Sequence, residues 1–252
     1  MLDRAAYLEH FAADVERMSE TLASVDLAAP VRSCPGWTVV DLIDHVGFVH
    51  RWAAACATDA APPGRDALGG FAWPGDRDEP SADDLSAWFR AGADRIAGVL
   101  RDLDLDGPTW HPFPTAHVGA VWPRRQAHEI SVHRWDLDST TTAEPSPVDA
   151  VLASDGIDEY FELAVPRLVA RDDIALPTGS LHVHCTDVAG EWLTTTTDGS
   201  YELERRHAKG DAALRGNASD LLLALWGRLP VERLDVVGDA DVAKAWLAIS
   251  GM

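Results

Sequence analysis

The hydrophobic periodicity of the chain changes character near its middle, and that change limits the fold more than any other feature. In the first half, apolar residues recur at spacings of three and four. Leu8, Phe11, Val15, Met18 and Leu22 form one helical stripe, and Leu85, Trp88, Phe89, Ile96 and Val99 form another. In the second half, Leu181, Val183 and Cys185 alternate with His182, His184 and Thr186, the period of a strand. Residues 138–147, DSTTTAEPSP, lie between the two regimes and read as an interdomain linker. The chain is therefore expected to hold a helical domain over residues 1–142 and an α+β domain over residues 147–252.

Local signals fill in both halves. Ser33-Cys34-Pro35-Gly36 breaks the chain, and Thr38-Val39-Val40-Asp41 forms a capping box for a helix with Leu42, Val46, Val49 and Ala53 on one face. Residues 58–80 read as a long loop, and Ser81 caps the next helix. Pro123 suits the first position of a fourth helix running to about Asp138. Four amphipathic helices predict a four-helix bundle. Beyond the linker, a helix is expected from near Pro147 to about Val165-Pro166, then strands flanking an Asp198-Gly199 hairpin turn. A strand at Ala213 to Arg215, a helix at Ser219 to Trp226, a strand at Leu234 to Val237 and a helix from Asp239 to Ile249 complete a small α+β domain.

Charge removes several function classes. The chain's 252 residues include 21 Lys and Arg against 41 Asp and Glu, a net charge of -20. Such a surface repels a phosphate backbone and an anionic bilayer, so neither nucleic acid nor membrane is an expected partner. No apolar run approaches the roughly 20 residues that span a bilayer, and the opening MLDRAAYLEHF has no signal-peptide core, so the expected location is the cytoplasm. Cys34, Cys56 and Cys185 are widely spaced and form no disulfide framework, which suits a reducing compartment. A metal site in this chain has to rest mainly on histidine and carboxylate.

The segment from Arg124 to Asp136 is the richest in chemistry. His128 and His133 are five residues apart, about 140° around a helix, and cannot share one ion. Glu129 and His133 are four apart and can. Asp136, two turns beyond Glu129, shares that face and is placed to orient His133. An ordinary surface stripe of acids and bases explains the same spacing. His45 stands at the edge of an apolar helical face, where histidines more often pack than ligate, and His50, five further on, is expected to face solvent. His45, Glu129 and His133 together would be a two-histidine, one-carboxylate set, leaving the open position typical of a catalytic zinc.

Three blocks of sequence resemble the mycothiol-dependent maleylpyruvate isomerase family: Cys34-Pro35-Gly36-Trp37-Thr38 through Leu42-Ile43-Asp44-His45-Val46, His128-Glu129 through His133-Arg134-Trp135-Asp136, and Asn217 through Arg228 with Val237-Gly238-Asp239. They occur in the family's order and span nearly the whole chain. The resemblance implies a DinB-like N-terminal bundle followed by a sterol-carrier-like α+β module. It places the family's metal triad on His45, Glu129 and His133, the set also reached from spacing. It further implies zinc or another divalent metal, with mycothiol or a similar small thiol as co-substrate. The metal would favour the thiolate, which attacks a small electrophile. Addition to a conjugated double bond permits rotation before the thiol leaves; in a transferase the adduct is released. The three cysteines are then structural.

The family also carries a functional arginine in its second domain, which maps to Arg228; an arginine capping the end of a short helix is an equally good explanation. Arg124 and Arg125 either line the site or are solvated. His182 and His184, two apart on one strand, are expected on an exposed face rather than at a metal. Two other functions remain open at this stage: a metal- or ligand-binding protein without catalysis, and a metal-assisted hydrolase using Asp136 or His128 as base.

Overall fold

A computed structural model describes residues 1–59, 61–172, 174–197 and 199–249. It divides into two compact units, the first formed by residues 1–111 and 116–146 and the second by residues 112–115 and 147–252.

The first unit is the helical bundle. Its long helices are α1 (Arg4–Leu22), α2 (Val39–Thr58), α4 (Ala82–Asp102) and α5 (Val121–Thr141), and a single turn, α3 (Arg65–Leu68), lies in the long connection after α2. The Thr38 box forms: the Thr38 hydroxyl accepts from the Asp41 N–H, and Asp41 accepts from the Thr38 N–H. Gly36 takes φ +85°, which a side chain would resist, and so turns the chain from Cys34 into Trp37. Leu42, Ile43 and Val46 of α2 and Leu85, Phe89 and Ile96 of α4 are each fully buried. Each such side chain contributes about 1.5–3 kcal/mol from burial alone. The two helices can approach closely because α2 has a glycine at residue 47; a Cβ there would lie 2.1 Å from the Trp88 ring.

Helix α5 departs from expectation at both ends. It begins two residues before Pro123, which therefore sits in the first turn, where its missing N–H is not needed. It also runs through Ser139, Thr140 and Thr141 of the expected linker, because each hydroxyl donates to a carbonyl three residues back. Its side chains are buried almost all round, so the segment holding Glu129 and His133 is no surface stripe. Arg134 shows how the charges are met. It donates to Asp14 and Asp138 at 3.1 Å each and to the Ser146 carbonyl at 2.6 Å.

His50 is a second correction. It does not face solvent; it is fully buried between the rings of Phe11 and Phe89, at 5.3 and 5.6 Å, with no hydrogen-bond partner for either ring nitrogen among the described residues. Five residues beyond His45 it does point away from that side chain, but Phe11 of α1 and Phe89 of α4 close over it. Burial pushes its pKa down to about 3, so the ring stays neutral in the fold, while the unfolded chain takes up a proton below its ordinary value of about 6.5. Stability is therefore lost as pH falls from about 6.5 toward 3. At pH 5 the deficit is about 2 kcal/mol, whatever the native value below about 4. His50→Leu removes it: the loss of unfolding free energy between pH 7 and pH 5 should shrink by about 2 kcal/mol in denaturant titrations. An unchanged loss would show that His50 does not titrate this way.

The second unit opens with a helix in three parts: α6 (Ala150–Glu159), a π-helical turn over Tyr160–Ala164, and α7 (Val165–Asp172). The helix was expected to stop at Val165-Pro166. It continues because the Val165 N–H reaches back five residues to the Tyr160 carbonyl, and the wider turn accommodates the proline. Among the described residues, β1 (Gly179–Cys185), β2 (Glu191–Thr197), β3 (Ser200–Glu204), β4 (Ala212–Gly216) and β5 (Asp235–Gly238) form one sheet in the order β3-β2-β1-β4-β5, with β1 and β4 parallel and the other pairs antiparallel. Helices α8 (Ala218–Leu225), capped by Asn217, and α9 (Ala240–Leu247) pack against it. Leu181, Val183 and Leu214 are fully buried. In the expected Asp198-Gly199 turn, Asp198 lies outside the described residues and Gly199 takes φ +78°. No helix among the described residues is long and apolar enough to cross a membrane.

Candidate metal centre

Helices α2 and α5 carry the centre. His45 lies in the second turn of α2, set by the Thr38 cap, and Glu129 and His133 lie one turn apart on α5. Glu129 Oε1 is 3.3 Å from His45 Nε2 and 3.4 Å from His133 Nε2, and one ligand atom from each residue falls within 4.8 Å of the others. Zinc bonds to nitrogen and oxygen are about 2.0–2.1 Å, so ligand atoms on a tetrahedral ion stand about 3.3 Å apart. The two distances from Glu129 Oε1 already have that spacing.

The surroundings fix this arrangement. Asp136, fully buried, accepts from His133 Nδ1 at 2.9 Å, which turns Nε2 toward Glu129 and His45. Cys34 donates its thiol hydrogen to the same Asp136 oxygen at 3.5 Å. Arg125 donates to Glu129 Oε2 at 2.8 Å, leaving Oε1 for the histidines. The Trp37 ring flanks His45 at 4.9 Å and lies nearly parallel to His133 at 6.5 Å, walling the centre with an apolar face.

Electrostatically the centre rewards positive charge. Burial alone would raise the Glu129 pKa, but hydrogen bonds from His133 and His45 and the Arg125 charge hold the carboxyl well below the usual carboxylate range. Burial alone would lower that of His133, but Asp136, Cys34 and Glu129 hold it well above an ordinary imidazole. Two carboxylates thus grip one cationic ring from opposite nitrogens, and a divalent ion at Nε2 meets the same field. Two imidazoles and a carboxylate are also a donor set that zinc, iron and nickel accept.

The residues singled out from sequence sort as follows. His45, Glu129, His133 and Asp136 come together. His128, on the same helix, is buried with its ring edge-on to Tyr7 at 6.1 Å. Arg124 and Arg125 are both buried rather than solvated. Sequence reasoning missed the contact of Arg125 with Glu129, although the four-residue spacing was there to be read. Cys34 was assigned a structural place without its partner, Asp136, which only the fold brings near. The other cysteines are inert: burial pushes the Cys56 and Cys185 thiols up to about 12. Arg228 is half-buried in the second unit and donates to the Trp226 carbonyl at 2.8 Å, the end of α8, as a capping arginine does.

Two family models match the chain. The one described as the mycothiol maleylpyruvate isomerase N-terminal domain covers residues 8–138, and the one described as the MDMPI C-terminal domain covers residues 151–245. Among solved structures, a mycothiol-dependent maleylpyruvate isomerase and a point mutant of that enzyme share the fold, with TM-scores of 0.65 and 0.66. Each is 12% identical, with 95% of both chains covered. No curated protein matches the chain.

Proposed function

Since the chain belongs to the mycothiol-dependent maleylpyruvate isomerase family, we propose that it is a thiol-dependent enzyme whose His45, Glu129 and His133 hold a divalent metal ion, zinc first among the candidates. The observation that carries the reading is the near-equal spacing of Nε2, Oε1 and Nε2 at 3.3 and 3.4 Å, on a histidine whose other nitrogen is already committed to Asp136. When bound, such an ion depresses the pKa of a thiol at its open position from about 8.5, so that the thiolate is available at neutral pH. The chain's own residues supply the rest. Arg125 orients Glu129, Asp136 orients His133, and the Trp37 ring keeps water from one side.

The reaction class follows from what a thiolate does. Added to a conjugated double bond, it leaves a single bond free to rotate, and its expulsion restores the double bond in the other geometry. Release of the adduct instead gives S-transfer. Mycothiol as co-substrate and a small electrophile such as maleylpyruvate are the partners that family membership supports. We extend the proposal to Arg228 as the cation for an anionic group on substrate or thiol, since a guanidinium binds carboxylate in a fork and a chain of net charge -20 needs a local cation to hold an anion. Arg228→Ala should then lower kcat/KM by about tenfold or more with metal content unchanged; an unchanged kcat/KM would leave Arg228 as a helix cap only.

The purified protein should convert maleylpyruvate only when the thiol is supplied. Because the thiol comes from the co-substrate, a variant with Cys34, Cys56 and Cys185 all replaced by alanine should keep that turnover to within a few-fold, after correction for folded fraction. Turnover without added thiol, or its disappearance in a folded cysteine-free variant, would point to a protein nucleophile and reject the proposal.

A further inference from the structure

The second unit contains a cluster that the bundle centre does not use. His182 and His184 lie two apart on β1, on one face of the sheet, and Glu191 on β2 is directly opposite His184 in the antiparallel register. His207, in the segment after β3, folds onto the same face. Its ring centroid is 5.1 Å from that of His182 and 6.2 Å from that of His184, and the two β1 rings are 6.0 Å apart. Glu191 Oε1 is 2.5 Å from His184 Nδ1, and Oε2 is 3.0 Å from His207 Nδ1. One nitrogen or oxygen from each of the four residues lies within 4.8 Å of all the others.

An ion-paired patch would account for Glu191, His184 and His207, but not for His182. That ring was expected to be exposed; it is 5% exposed, and its Nε2 is buried without a hydrogen-bond partner among the described residues. A buried polar nitrogen left this way is costly. We propose that His182, His184, Glu191 and His207 form a second metal site, for one divalent transition-metal ion. Three imidazoles and a carboxylate suit zinc, copper or nickel and not calcium or magnesium, which take oxygen donors. Four protein ligands close a tetrahedral shell, so the ion is structural: it ties the segment at His207 to the β1–β2 hairpin. The pair at 2.5 Å has to open to about 3.3 Å around zinc, and His207, with its side chain 78% exposed, lies in the connection between β3 and β4.

Zinc itself is the probe, measured per full chain by elemental analysis after dialysis against buffered zinc. The His133→Ala variant, with the bundle centre disabled, should still hold one ion. Adding His184→Ala and His207→Ala should remove it. His207→Ala alone, a substitution at the surface that leaves the core intact, should weaken zinc binding of the His133→Ala protein on the order of tenfold or more. A His133→Ala protein that binds no zinc, or one whose zinc is indifferent to His184 and His207, would overturn the second site. If the bundle centre were the one at fault, wild type and His133→Ala would hold the same single ion, so the two failures are distinguishable.

Discussion

Replacing His133 by alanine should abolish thiol-dependent turnover while the bundle stays folded. The substitution removes one of the three proposed ligands and leaves Glu129 Oε1 with His45 as its remaining imidazole partner. A thiol with a pKa near 8.5 is only about 3% ionised at pH 7, so losing the ion costs about 30-fold from ionisation alone. Losing the fixed position of the nucleophile adds to that, and a fall of about a thousandfold or more is expected. Circular dichroism would verify the fold, and initial rates with saturating thiol would give the loss. Turnover within about tenfold of wild type would mean that the ion is not what activates the thiol.

Asp136→Ala should weaken the bundle centre's metal affinity about 10- to 100-fold. Asp136 touches no proposed ligand position of the ion. It holds the far nitrogen of His133, and its removal frees the ring to rotate and to change tautomer. Asp136→Asn separates charge from shape, since it keeps the volume in a site with no exposure but no longer rewards positive charge on the ring. Its affinity should fall between the two. The measurement is competition for zinc against a chromophoric chelator, on a His184→Ala, His207→Ala background so that a single class of site is read. Equal affinities in all three proteins would make Asp136 a packing residue.

Much of this was legible before any coordinates, and the parts that were not share a physical cause. The stripes of α1 and α4, the Thr38 box and the strand alternation at β1 are properties of one element and are written in its own spacing. The relation of Glu129, His133 and Asp136 belongs to one helix and was read from its pitch. His50 and His182 were both assigned to solvent because spacing says which face a residue is on and not what covers that face. The rings of Phe11 and Phe89 enclose one, and the face shared with His207 encloses the other. Glu191 and His207 escaped notice because strand pairing and a 16-residue separation, rather than a motif, bring them together. The helix ends at Thr141 and Pro166 moved because side-chain hydroxyls and a π turn supplied hydrogen bonds that propensity does not count.

In the proposed mechanism the bundle centre binds an ion and the ion meets the thiol. Cobalt reports both. Loaded into the His184→Ala, His207→Ala protein, cobalt at His45, Glu129 and His133 should give the visible bands of a four- or five-coordinate ion. Addition of mycothiol should then bring in a near-ultraviolet sulfur-to-cobalt charge-transfer band that saturates at one thiol per chain, and that is absent when His133 is also alanine. Visible bands that stay unchanged, with no charge-transfer band at saturating thiol, would contradict the account.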